Sequence, residues 1–117
     1  MKYVYASRTG NVETLIGELG LDALRIETGS EKVDEPFILF TYTDGFGDTP
    51  AEVDAFLDEN GKYLKGTIVS GSHDYDPEFC GCAPKIEEKT GAPTLYKVEN
   101  SGEPADIDAI KAILAKF

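Results

Sequence analysis

Phe37-Ile38-Leu39-Phe40-Thr41-Tyr42 is the stretch that decides the fold. Its opening run is apolar at consecutive positions, so both faces of a strand over 37–42 need cover, as in the middle of a parallel sheet. Pro36 stands at the entrance, where a missing N–H is tolerated. Residues 43–48 follow as a glycine-containing loop. Thr49-Pro50-Ala51-Glu52 then has the form of a capping box, with Thr49 at N-cap, Pro50 at N1 and Glu52 at N3. Val53, Phe56 and Leu57 give the following helix its buried face.

The same alternation extends in both directions. Upstream, Tyr3-Val4-Tyr5-Ala6 reads as a strand, and Val12, Leu15, Ile16 and Leu19 mark one face of a helix that Gly20 stops. Leu24-Arg25-Ile26 is a short strand, and residues 29–35 are polar and looped. Downstream, Gly66-Thr67-Ile68-Val69-Ser70-Gly71 is a strand. Phe79, Cys82, Ala83 and Ile86 have helical spacing, with Pro84 among them. Either the helix begins near Pro84, or Asp76-Pro77 begins it and Pro84 kinks it. Thr94-Leu95-Tyr96-Lys97-Val98 is a last strand. Ile107, Ile110, Ile113, Leu114 and Phe117 mark a last helix, with Lys116 suited to its C-terminal dipole. Strands alternating with helices predict an α/β fold: a doubly wound, five-stranded parallel sheet of flavodoxin-like order 2-1-3-4-5.

Length and charge narrow the function. The chain has 117 residues, and a single domain over 1–117 is expected. Lys plus Arg is 11 against 22 Asp plus Glu, a net charge of −11. Such a chain suits neither nucleic acid nor an anionic membrane. The hydrophobic content of 41% argues against disorder. No apolar run approaches the ~20 residues of a membrane span. Met1-Lys2-Tyr3-Val4-Tyr5-Ala6 runs straight into polar sequence and leaves no room for a signal peptide. A cytoplasmic location is therefore expected, with both cysteines reduced.

Ligands of such sheets bind beyond the carboxyl ends of the strands, where the strand order reverses. Three loops fall there. Ser7-Arg8-Thr9-Gly10-Asn11 combines hydroxyls, an amide and a glycine at a helix start, a combination that cradles a phosphate monoester. The alternative is an ordinary turn in which Thr9 or Asn11 caps the helix. Thr43-Asp44-Gly45-Phe46-Gly47-Asp48 lets backbone approach a flat ligand, and Gly45 tolerates positive φ. The alternative is a plain connector with Phe46 tucked into the core. Ser70-Gly71-Ser72-His73-Asp74-Tyr75-Asp76-Pro77 carries Tyr75, which either stacks on a ring system or is a half-buried surface residue.

Other residues carry less. Cys80-Gly81-Cys82 reads either as a thiol pair able to react with oxidants or as small packed residues at a helix start. His73 is the only histidine, and the sequence shows no base or nucleophile to go with it as a catalyst and too few ligands of convincing spacing for a metal site. Asp54, Asp58, Glu59, Glu87 and Glu88 lie on helix faces and read as solvated surface.

Taken together, the motifs resemble one family. Residues 7–11 resemble the phosphate loop of flavodoxins. Thr41-Tyr42-Thr43-Asp44-Gly45-Phe46-Gly47-Asp48-Thr49-Pro50 is more specific and resembles the NrdI family, the flavodoxin-like accessory proteins of class Ib ribonucleotide reductase. Lys65-Gly66, Val69-Ser70-Gly71 and Ser101-Gly102 agree with it. The resemblance implies bound flavin mononucleotide (FMN). Ser7, Thr9, Gly10 and Asn11 match phosphate-binding positions, and Arg8 matches a variable one whose side chain is free to face solvent. Thr43, Gly45, Phe46 and Gly47, flanked by Tyr42 and Asp44, match the loop beside the flavin, whose 45–46 peptide would face the redox-active nitrogen. Gly71 and Ser72 match the start of the other flavin loop. Tyr75 stands where relatives resembling this chain have tryptophan. Phe79 agrees with the run around it, whereas Asp76, Pro77 and Cys80 depart.

The implied activity is redox. Reduced flavin reacts with O₂, and the superoxide-type oxidant passes to the docked radical-generating subunit to assemble its dimanganese–tyrosyl radical centre. A flavin reductase or another electron donor is the further partner. Short loops would leave the flavin edge open to O₂ and to the docked subunit. The acidic surface would disfavour added negative charge on the flavin and steer docking toward a basic patch. The alternatives are a general flavodoxin-type electron carrier and a non-redox binding module on the same fold.

Overall fold

The computed structural model describes residues 1–75 and 79–117, Tyr75 by its backbone alone. The elements run β1 (Lys2–Tyr5), α1 (Asn11–Leu19), β2 (Leu24–Arg25), β3 (Phe37–Tyr42), α2 (Ala51–Asn60), β4 (Leu64–Gly71), α3 (Cys82–Thr90), β5 (Thr94–Glu99) and α4 (Pro104–Leu114). Short 3₁₀ turns occupy Gly61–Tyr63 and His73–Tyr75. All strands pair in parallel, in the order β2-β1-β3-β4-β5 that the sequence predicts.

β3 is the centre of that sheet, and its side chains divide between two cores. Phe37 and Leu39 join Val53, Phe56 and Ile86 on the face covered by α2 and α3. Ile38 and Phe40 join Val12, Leu15, Ile110 and Leu114 on the face covered by α1 and α4. Phe37 meets Phe56 edge-on, with ring centroids 5.6 Å apart. All four β3 residues have zero exposure, and hiding each such side chain from water contributes about 1.5–3 kcal/mol. A charged substitution anywhere over 37–40 would have no solvated face to occupy. The register of β4 shifts between Phe37 and Ile38, where Gly66 comes into line. A Cβ on Gly66 would lie 2.5 Å from the Leu95 side chain, which would have to shift to make room for it.

Several local expectations change. The capping box at 49–52 does not form: Pro50 is the N-cap, no side chain caps α2, and the Glu52 carboxylate accepts instead from the Tyr42 hydroxyl at 2.6 Å. A partly buried phenol competes for that carboxylate and wins. α3 begins at Cys82, so Pro84 sits in the first turn, where its missing N–H costs nothing. Asp76 and Pro77, offered as the other helix start, lie outside the described residues. α4 ends at Leu114, so Lys116 lies beyond it and Phe117 is 48% exposed rather than part of the apolar face. Asp54, Asp58, Glu59, Glu87 and Glu88 are exposed as expected, although Asp54 and Asp58 share Lys89.

Candidate functional site

The carboxyl ends of β1, β3, β4 and β5 converge on a cleft of about 220 Å³ at the reversal of strand order. The β1–α1 turn forms one wall. Gly10 is the N-cap of α1 at φ 96°, a left-handed conformation that a side chain would strain, and it offers no side chain to cap the helix. Thr9 and Asn11 therefore line the cleft rather than act as caps. The Thr14 N–H reaches the Gly10 carbonyl at 2.9 Å, and the Glu13 N–H reaches Ser7 Oγ at 3.3 Å. The Asn11 and Val12 amides, the first two of the helix, have no intrahelical acceptor. Ser7 is buried, and because its oxygen already accepts from Glu13, its proton remains to donate.

The β3–α2 loop forms the opposite wall. Asp44 and Asp48 exchange two backbone hydrogen bonds of 2.8 Å, which pinch residues 45–47 into a narrow tip. Gly45 at φ 48° and Gly47 at φ 100° make that tip possible. Phe46 is 73% exposed at its end, not tucked into the core. Arg8 is exposed, as the resemblance implies, yet not unattached: its Nη1 meets Asp44 Oδ1 at 2.7 Å and its guanidinium lies 5.1 Å from the Tyr42 ring centroid. The two walls are thereby tied across the mouth. The hydrogen bond to Asp44 pushes the Arg8 guanidinium up. Burial, helped by Glu52, pushes the Tyr42 phenol up, so it stays a donor.

The floor is stitched laterally. Thr43 Oγ1 donates to the Ser70 carbonyl at 2.9 Å, Ser70 Oγ donates to the Asn100 carbonyl at 2.6 Å, and the Asn100 N–H reaches the Gly71 carbonyl at 2.8 Å. Cys80 is packed so closely under Gly71 that a Cβ there would lie 2.8 Å from its backbone nitrogen. Burial pushes the Cys80 thiol up to about 12 and raises Cys82 as well. Both are free and buried, so they stay thiols and are poor nucleophiles. The reactive-pair reading loses to packing.

Of the residues singled out from the sequence, Ser7, Arg8, Thr9 and Asn11 line the cleft on one side. Tyr42, Thr43, Gly45, Gly71, Ser72 and Cys80 line it on the others. Gly10 shapes the wall without lining it. Asp44 lines a shallower neighbouring hollow with Glu27, Thr28 and Glu52. Phe46 and Gly47 belong to the loop tip and do not line the cleft. The Phe79 ring is occupied elsewhere, stacked on His73 at 3.8 Å. The Tyr75 side chain lies outside the described residues. Sequence reasoning missed Val12 and Asn100, and it placed Ser70 in the third loop without assigning it to the ligand. The rule that placed the other loops also picks out residue 100, the first after β5. No cluster of metal-ligating side chains and no helix long and apolar enough to cross a membrane occurs among the described residues.

A family model described as NrdI Flavodoxin like matches residues 3–112. The chain belongs to that family. It is 35% identical over 108 residues to Protein NrdI of Bacillus licheniformis, covering 92% of this chain and 82% of that protein. Among solved structures, it resembles a short-chain flavodoxin associated with a non-canonical PDU bacterial microcompartment. That likeness has a TM-score of 0.71 and 20% identity over 97% of this chain and 93% of the other. It also resembles the two-electron reduced flavodoxin of Megasphaera elsdenii, with a TM-score of 0.66 and 16% identity over the whole of both chains. At those identities the two structures speak for the fold of this NrdI-family chain.

Proposed function

We propose that this chain is a single flavodoxin-like unit that holds FMN in the carboxyl-edge cleft. In this reading it serves as the flavin-bearing accessory protein of class Ib ribonucleotide reductase. The observation that carries the reading is the turn before α1, where Gly10 caps the helix with backbone alone and leaves the Asn11 and Val12 amides unclaimed beside the Ser7 hydroxyl. That donor set fits a phosphate monoester. Membership of the NrdI family supports the rest.

Residues 7–12 would grip the phosphate end, and Thr43, Gly45, Gly71 and Ser72 would border the ring system. Gly45 allows the 45–46 peptide to rotate at low cost, because both signs of φ are open to it. The narrow 45–47 tip leaves one rim uncovered for O₂ and a docked subunit, with exposed Phe46 beside it. Bound flavin supplies electron transfer and, when reduced by a flavin reductase or similar donor, the superoxide-type oxidant for assembling the dimanganese–tyrosyl radical centre of the radical-generating subunit. The protonated thiols and the engaged Tyr42 hydroxyl would take no part in that chemistry.

The test is an anaerobic reductive titration with FMN, followed by O₂ in the presence of the manganese-loaded radical-generating subunit. Radical formation that depends on this chain supports the activator role. Full replacement by a standard flavodoxin would instead indicate a general electron carrier. A colourless protein that ignores FMN would indicate a non-redox binding module.

A further inference from the structure

An acidic chain that takes a phosphorylated ligand must manage its own carboxylates. Glu13 stands in the first turn of α1, adjoining the open amides, where its charge opposes an incoming phosphate. Arg25 answers it from the edge strand β2. Its Nη1 pairs with Glu13 Oε2 at 2.9 Å, and its Nη2 donates to the Ser7 carbonyl at 2.9 Å. The guanidinium lies 5.8 Å from the Tyr5 ring centroid. The Glu13 N–H meanwhile donates to Ser7 Oγ at 3.3 Å. Ser7, Glu13 and Arg25 thus close a ring of contacts behind the phosphate turn, while Arg25 itself does not line the cleft.

We infer that Arg25 is a positioning residue that sets the preference of the cleft for a phosphorylated over an unphosphorylated flavin, by neutralising Glu13 and fixing Ser7. The inference rests on the flavin reading above. Without the guanidinium, the Glu13 carboxylate faces the phosphate uncompensated. The oxidised ring system is neutral and does not register that charge. Loss of Arg25 therefore separates the two ends of the ligand: the phosphate end loses affinity and the ring end does not.

The experiment measures dissociation constants for FMN and for riboflavin by flavin fluorescence, at low ionic strength. It compares the wild-type chain with Arg25→Gln, Glu13→Gln and the double variant. Arg25→Gln is expected to weaken FMN about tenfold and leave riboflavin within about twofold. Glu13→Gln is expected to tighten FMN, and the double variant to return to within about threefold of wild type, because no uncompensated carboxylate remains. An Arg25→Gln chain that loses both flavins equally, or neither, overturns the inference. So does a double variant as weak as Arg25→Gln alone. Those results leave the flavin reading standing, whereas a wild-type chain that binds neither flavin overturns both.

Discussion

Two polar turns of this molecule offer backbone amides in similar ways and use them in opposite ways. In the connection between β2 and β3, the Glu31 carboxylate accepts from the amides of Glu27, Thr28 and Gly29 at 2.7, 3.1 and 2.9 Å. Buried Asn60 holds the same connection from α2: it accepts from the Val33 N–H at 3.0 Å and donates to the Glu31 carbonyl at 2.9 Å. That turn carries its own anion. In the turn before α1 no side chain claims the Asn11 and Val12 amides, and the carboxylate in the first turn of the helix, Glu13, is paired with Arg25. A nest filled from within is scaffold. A nest kept open, at the reversal of strand order, is a place for an anion from outside.

The largest expected effect tests the scaffold half. Asn60→Ala should lower stability by about 2–3 kcal/mol, because it strands the Val33 N–H and the Glu31 carbonyl. Chemical denaturation measures it. A loss below about 1 kcal/mol would break the distinction, and FMN affinity should hold throughout. Next, Gly45→Val puts a β-branched residue at φ 48°. It should weaken FMN about tenfold in a fluorescence titration, since that conformation strains any such side chain; unchanged affinity would contradict the role given to the loop.

A smaller effect concerns pH. Burial tends to raise the Glu31 carboxyl, but the backbone hydrogen bonds from Glu27, Thr28 and Gly29 outweigh it and hold it down to about 2. Its folded value lies below an unfolded value of about 4.3, so its contribution is present above that pH and fades as pH falls toward 2. The gap in thermal midpoint between wild type and Glu31→Gln should be steady near neutrality and shrink through that window. A gap independent of pH would mean the carboxylate does not hold the turn. The smallest effect belongs to the exposed Arg8–Asp44 pair. A double-mutant cycle should return no more than about 1 kcal/mol, reduced further by salt.

The fold was legible because apolar runs and periodicities are local. A run such as 37–40, apolar at every position, announces a central strand, and the alternation of strands with helices fixes a parallel sheet. The two turns compared above were not equally legible. Glu31 and Asn60 act across 2 to 29 residues of sequence, and nothing local in Glu31 says that its carboxylate folds back onto the amides before it. Local sequence shows Arg25 only as part of a short strand, because its partners Ser7 and Glu13 lie 18 and 12 residues away. Thr49 and Glu52 show the converse failure: a capping pattern was present, and a tertiary contact with Tyr42 displaced it. Motif spacing located the walls of the cleft; the ties between walls had to be seen in three dimensions.

The most direct test follows individual amides of the isotopically labelled protein during an FMN titration. An open nest predicts saturable shifts at the Asn11 and Val12 amides while Thr28 and Gly29 stay still. Flavin binding that moves the 27–29 amides and leaves 11 and 12 unchanged would contradict it.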